Sequence, residues 1–193
     1  MSVKQALLAL LEQGPMYGYQ LRVEFENRTG STWPLNVGQV YTTLNRLERD
    51  GFVEGEGVDD EGHVVYRITA PGREEVATWF TTPVERTQPP RDELAIKLAL
   101  AVTSPGVDVG TVIQQQRGAT MAALQDYTRL KKQAGPDDLA WSLVLDSLVF
   151  AAEAEIRWLD HCEARLRRAA VERAAQPGEA SEQPARVTSE EAR

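Results

Sequence analysis

Val40-Tyr41-Thr42-Thr43-Leu44-Asn45-Arg46-Leu47-Glu48-Arg49-Asp50-Gly51 is the stretch on which the reading of the whole chain turns. Val40, Leu44 and Leu47 recur at spacings of four and three, which puts one apolar stripe on a helix. Asn36 precedes it as an N-cap with Gln39 at the reciprocal capping position, and Gly51 ends it. With the stripe turned inward, Gln39, Thr42, Asn45, Arg46 and Arg49 point partly or wholly outward. Gln and Asn offer paired donor and acceptor atoms to adenine, while Arg addresses guanine or a phosphate according to its depth in a groove. Gln39 and Thr42, nearer the N-terminus, are therefore the candidates for base reading, and Arg49, beside the helix end, for a phosphate clamp. Arg46 has two readings, contact with DNA or a surface pair with Glu48 or Asp50. Tyr41, next to the inward Val40, is either core or a supporting contact that turns its hydroxyl outward.

Working back from this helix, Ser2 and Gln5 suit a capping box around a first helix with Val3, Ala6, Leu7, Leu10 and Leu11 on its apolar face, stopped before Gly14-Pro15. A second helix follows over roughly Tyr17 to Asn27, with Leu21 and Phe25 on one side. Thr29 to Leu35, with Gly30, Ser31 and Pro34, reads as a turn. Tyr17 and Tyr19 lie at the start of the second helix, where free N–H groups favour a phosphate, although one of them is equally suited to packing inside. Beyond Gly51, Phe52-Val53-Glu54 and Val64-Val65-Tyr66-Arg67-Ile68 flank a polar loop with three Gly and three consecutive acids, which reads as a β-hairpin. Thr69 then caps a fourth helix containing Val76, Trp79 and Phe80. Helix, helix, helix, hairpin, helix is the order of a winged helix-turn-helix module. His63 and Arg67 supply the wing's basic flank against Asp59, Asp60 and Glu61, and that flank is expected near a DNA backbone rather than inside a minor groove.

The chain has 193 residues, 42% of them apolar, and a net charge of -8. This length accommodates one domain or two small ones and excludes a large multidomain enzyme. Even residues 1 to 80 hold seven basic against twelve acidic side chains, so attraction to phosphate has to come from a local face. Cys162 is the one cysteine, which excludes an intrachain disulfide and a Cys-rich zinc framework. No apolar run approaches the ~20 residues of a membrane span, and a cytoplasmic protein without membrane contact is expected.

Residues 81–92, rich in Pro and Thr, read as a linker, and helical pattern resumes over 93–173. Leu94, Leu98 and Ala101 line a first helix there. Asp108 caps a second reaching Lys132, with Val112, Gln116, Ala119, Ala123, Tyr127 and Leu130 along part of its surface. From Asp138 to about Arg173, Leu145, Ala152, Leu159 and Leu166 recur every seven residues, beside Leu148, Glu155, Cys162 and Ala169. Glu155 breaks the second series and Ile156 supplies apolar surface next to it. The expectation is a helix packed against a second copy, with Leu98, Leu145, Leu148, Ala152, Ile156, Leu159, Cys162 and Leu166 as dimerisation residues. Trp141, Phe150 and Trp158 are candidates for an effector pocket near the helix junction, although aromatics at helical spacing are more often core. The tail, 174–193, is dominated by Pro, Gly, Ser and Glu and is expected to be disordered.

Leu7-Leu8-Ala9-Leu10-Leu11 with Gly14-Pro15-Met16-Tyr17-Gly18-Tyr19-Gln20-Leu21, the run from Val40 to Gly51, and Tyr66-Arg67-Ile68-Thr69-Ala70-Pro71-Gly72 together resemble the PadR family of transcriptional regulators over most of residues 3 to 80. The remainder resembles the longer subfamily with a virulence-activator-like C-terminal helical domain, on order, length and the Trp158-Leu159 region. The resemblance implies a homodimer that represses promoters through an inverted repeat and is released by a small effector; Trp141, Phe150 and Trp158 suit one of hydrophobic or aromatic character. Asn36-Val37-Gly38-Gln39 departs from the family's common Ser-Pro-Gly start, so base preference is expected to differ while an Asn-capped helix survives.

The expected fold class is thus mainly α with a small β-hairpin: an N-terminal winged helix-turn-helix over 1–80 and a C-terminal helical dimerisation domain. An enzyme is not expected, and no cofactor is implied. His161 and Cys162 are neighbours on a helix, about 100° apart rather than paired, and no phosphate loop or nucleotide fingerprint occurs. The alternative function is a winged-helix protein-interaction module without specific DNA binding, which the acidic total and acidic wing favour.

Overall fold

The computed structural model describes residues 3–58, 61–85, 91–135 and 138–175. Ser2, Asp59, Asp60, Arg86 and the tail beyond Ala175 lie outside them, and with them the first capping box, the acidic wing tip, part of the linker and the tail expectation. The chain is mostly helical with one small antiparallel sheet, in the order α1 (Val3–Leu11), β1 (Met16–Tyr17), α2 (Gly18–Thr29), α3 (Val37–Arg49), β2 (Val53–Val58), β3 (Val64–Ile68), α4 (Ala70–Thr81), α5 (Glu93–Ala101), α6 (Val109–Gln133) and α7 (Leu139–Ala175).

The apolar stripes close one core in the first half. Leu7, Leu8, Leu10 and Leu11 of α1 meet Leu21 and Phe25 of α2, Val40, Leu44 and Leu47 of α3, and Val76 of α4. The hairpin joins this core through Val53, Tyr66 and Ile68, which fits the period-two pattern of a sheet with one buried face. The sequence reading anticipates two strands, whereas the sheet has three in the order β1-β3-β2. Met16 pairs with Tyr66 and Tyr17 with Val65, so the wing is tied to the residues just before α2. β2 and β3 run in register from Val53–Ile68 to Val58–Val64 with one irregularity between Gly55 and Gly57.

Side-chain caps fix the helix starts. Asn36 accepts the Gly38 N–H at 2.7 Å, Thr69 accepts that of Gly72 at 3.3 Å, Asp92 that of Ala95 at 3.0 Å and Asp108 that of Gly110 at 3.0 Å. At α2, the Tyr17 N–H donates to the Gln20 side chain at 3.1 Å, half of a capping box. Trp79 and Phe80, expected within α4, meet at its exposed end with ring centroids 4.8 Å apart and planes tilted by 45°.

In the second half α6 and α7 form a long antiparallel pair. Leu98, Ile113 and Leu159 make its core, with Leu94, Val109, Val112, Trp158, Cys162 and Leu166 packed around them. This corrects the reading of the sevenfold series. Leu145 and Leu159 are wholly buried and Leu98, Ala152 and Ile156 nearly so within a single chain, so α5, α6 and the end of α2 already cover much of the stripe that was assigned to a second copy. A heptad pattern reports that a face is covered and not which chain covers it. Leu148, Cys162 and Leu166 remain half-buried. Outward apolar side chains include Ile96 and Leu100 on α5, Leu130 on α6, and Leu139, Leu143, Phe150 and Val171 on α7.

The two halves touch where α7 crosses the end of α2. Gly30, left-handed at φ 57°, closes α2, and a methyl group on its Cα would lie 2.3 Å from the Trp141 ring. Only glycine satisfies both the backbone and that approach.

Candidate nucleic-acid interface

The outward face of α3 is arranged by its buried one. Because Val40, Leu44 and Leu47 are fixed in the core, Gln39, Thr42, Asn45, Arg46 and Arg49 are all exposed, with Asn36 exposed at the cap. Thr42 donates its hydroxyl to the Gly38 carbonyl and Thr43 to that of Gln39, which settles both hydroxyls along the helix. Arg49 pairs with Asp50 at 2.9 Å on open surface, a contact of ~0–1 kcal/mol that a phosphate can displace. Arg46 has no ion pair among the described residues, so neither of its two anticipated surface partners holds it.

Tyr41 is half-buried and its ring lies on the α2 backbone. A Cβ at Gly18 would stand 2.7 Å from the ring, so that glycine is the seat on which α3 rests against the start of α2. This role was missed in the sequence, because a glycine opening a helix reads locally as a turn residue. Burial pushes the neighbouring Tyr66 phenol above its usual range, and the negative charge of Glu48 adds to the shift.

The flank beside α3 is built by the third strand. Tyr17, at the N-cap of α2, stacks on His63 with ring centroids 4.6 Å apart and planes at 12°. The Nδ1 of His63 is 3.8 Å from a Glu61 carboxylate oxygen. Tyr19 is half-exposed, with the Arg22 guanidinium 5.8 Å from its ring centre, and Arg22 in turn binds Glu26 at 2.9 Å. Neither tyrosine is buried inside. Arg67 is held more firmly than the sequence indicates: it bridges Glu54 at 2.6 Å and Glu56 at 3.5 Å on the adjacent strand. The basic flank of the wing is therefore largely neutralised in the free protein.

The three aromatic effector candidates fall in three different places. Trp141 packs on Gly30, Phe150 is exposed, and Trp158 joins the α5–α6–α7 core beside Cys162 and Leu166. A second set of side chains meets between α6 and α7, of which Gln116 and Glu155 were named in the sequence patterns but not as a group, and Thr120 not at all. Glu155 accepts hydrogen bonds from the Gln116 amide at 2.9 Å and from the Thr120 hydroxyl. The sevenfold spacing of Ile113 and Thr120, both buried, was the available signal, but a hydroxyl in an apolar register reads as a break rather than as a member.

Winged helix-turn-helix proteins with a helical C-terminal half are the class that this fold defines. The sequence profile of the transcriptional regulator PadR-like family matches residues 7–78, and that of the virulence activator alpha C-terminal domain matches 90–167. The chain belongs to the PadR-like family of transcriptional regulators and carries the virulence-activator type of C-terminal domain. It is 28% identical, over 83% of its length and 95% of the relative's, to a probable transcriptional regulator of Mycobacterium tuberculosis. Bacillus subtilis PadR in complex with operator DNA superposes with a TM-score of 0.67 at 22% identity, covering 84% of this chain and 97% of that one. The Vibrio cholerae virulence activator AphA does so with 0.64 at 23% identity, covering 86% and 99%. The Bacillus protein has also been solved with p-coumaric acid. At these identities the likeness to the solved structures is one of fold.

Proposed function

We propose that the chain is a sequence-specific DNA-binding regulator, a homodimeric repressor that holds an inverted-repeat operator and is released by a small effector. The carrying observation is the exposed polar face of α3, with two amides, a hydroxyl and two guanidiniums on the side opposite its buried stripe. Gln39, Thr42 and Asn45 read base edges. Arg46 and Arg49 hold phosphates or guanine, and Asn36, Tyr17, Tyr19 and His63 contact the backbone at the flanks. Arg67 joins only when a phosphate competes with Glu54 and Glu56, and Tyr41 acts mainly by seating α3. Residues 1–80 read DNA, 81–92 link, and 93–173 pair two copies and respond to the effector.

The exposed apolar side chains Ile96 and Leu100 of α5, with Leu143 and Phe150 of α7, are the surface offered to the second copy. Two reading helices then enter successive major grooves about 34 Å apart. That Bacillus subtilis PadR has been solved both with operator DNA and with p-coumaric acid supports a regulator that takes DNA and a small effector. No helix among the described residues is long and apolar enough to cross a membrane.

A promoter-fragment pulldown followed by sequencing and salt titration tests the proposal. A recurrent palindrome with a steep salt dependence is expected. The neutralised Arg67 and the acidic total favour a second reading, a winged-helix module that binds protein partners without specific DNA. Recovery of no preferred sequence at low salt selects that reading.

A further inference from the structure

Between the middle turns of α6 and α7 lies an open cleft of about 340 Å³. Its walls are small and apolar, formed by Ala119, Ala123, Ala151 and Leu148, with Tyr127 at one end. At the other stands Glu155, half-buried on α7. One oxygen of its carboxylate takes both neutral donors, Gln116 and Thr120, and no cation pairs with it among the described residues. Arg117, next to Gln116 on α6, pairs instead with Asp160 at 2.8 Å, and Lys131 pairs with Asp146. Glu155 is only half-buried, and neither of those donors engages its second oxygen. A negative charge carried into an apolar cleft with one oxygen oriented and the other free is a counter-charge waiting for a cation.

We propose that this cleft binds a small organic ammonium compound with an aromatic body, the ammonium donating to Glu155 and the ring lying over the alanine wall toward Tyr127. Thr120 and Tyr127 are seven residues apart on α6, about 10.5 Å along the axis, which sets the length of the molecule. An anionic compound of the same shape is rejected by the carboxylate. Occupation separates α6 from α7 at the cleft, and α7 is the helix whose Trp141 rests on α2. That last consequence rests on the effector-response reading above, whereas the binding itself does not.

The test uses the full chain and three probes of similar length: 3-phenylpropylamine, 3-phenylpropan-1-ol and 4-phenylbutyrate. Titration calorimetry is expected to show saturable binding of the amine, at least about tenfold tighter than the alcohol, with none of the acid. Glu155→Gln keeps an acceptor for Gln116 and Thr120 and is expected to weaken the amine about tenfold or more while leaving the alcohol unchanged. Ala151→Trp, which fills the cleft from an exposed position, is expected to abolish both. Equal affinity for acid and amine, an undiminished Glu155→Gln, or no saturable amine binding overturns the proposal. So does amine binding only at protein concentrations where the chain is monomeric, because that result means the dimer covers the cleft. DNA affinity measured separately with the amine present addresses the regulatory consequence: binding without any change in DNA affinity removes that consequence and leaves the site.

Discussion

Arg49 and Gln39 stand at opposite ends of one exposed face, and their chemistry separates what each contributes. A guanidinium at the C-terminal end reaches phosphates, so Arg49→Ala is expected to weaken matched and scrambled sites alike and to lower the salt slope by about one. Gln39 sits in the first turn, where base edges come within reach, and Gln39→Ala is expected to cost ~1–3 kcal/mol on the matched site and little on scrambled DNA. Affinities on both sites at several salt concentrations decide this; equal losses on every site for Gln39→Ala remove its base-reading role. Tyr41 illustrates a residue whose neighbour matters more than its own exposure. Gly18→Ala drives a methyl group into its ring, and the displaced α3 is expected to bind matched DNA more weakly although Gly18 itself is buried and faces no solvent.

At the level of the element, α3 was legible because three local signals agreed: the stripe of Val40, Leu44 and Leu47, the Asn36 cap and the Gly51 stop. Asn36→Ala removes the acceptor for Gly38 and is expected to cost about 1 kcal/mol in thermal or denaturant unfolding, with Asn36→Ser recovering most of it. β1 was not legible, since two residues carry no periodicity and Met16–Tyr17 become a strand only by meeting Tyr66 and Val65. The Arg67 bridges escaped for the same reason, because cross-strand partners depend on register. β3 also carries a measurable titration. Tyr66 keeps its proton to higher pH in the fold than in the unfolded chain, where phenols ionise near 10. Its stabilising contribution is therefore fully present below about pH 10 and is lost as pH rises through the folded value. Absorbance titration is expected to show a late phenolate step that Tyr66→Phe removes.

For the molecule as a whole, the sevenfold series of α7 located an apolar face correctly but could not say what covers it. Leu159, in contact with Leu98 and Ile113 inside one chain, is now expected to behave as a core residue. Leu159→Asp buries an unpaired carboxylate at a cost of several kcal/mol, and helicity by circular dichroism is expected to fall together with any self-association. Ile96→Glu with Leu143→Glu, both on exposed surface, is expected to leave helicity intact and shift sedimentation toward monomer; an unchanged association constant rejects that surface as the pairing face. The contact of Trp141 with Gly30 sets a different constraint. Gly30→Ala costs ~1 kcal/mol for the left-handed backbone and adds a collision with the ring, so it is expected to loosen the hold of α7 on α2. The front and back halves of this protein are thus not freely interchangeable parts. A chimaera that grafts residues 1–80 onto another regulator's C-terminal half would keep its geometry only if that half presented an indole to the missing side chain of Gly30, and hybrids spliced at 81–92 without that match should fold as two competent pieces that no longer report to each other.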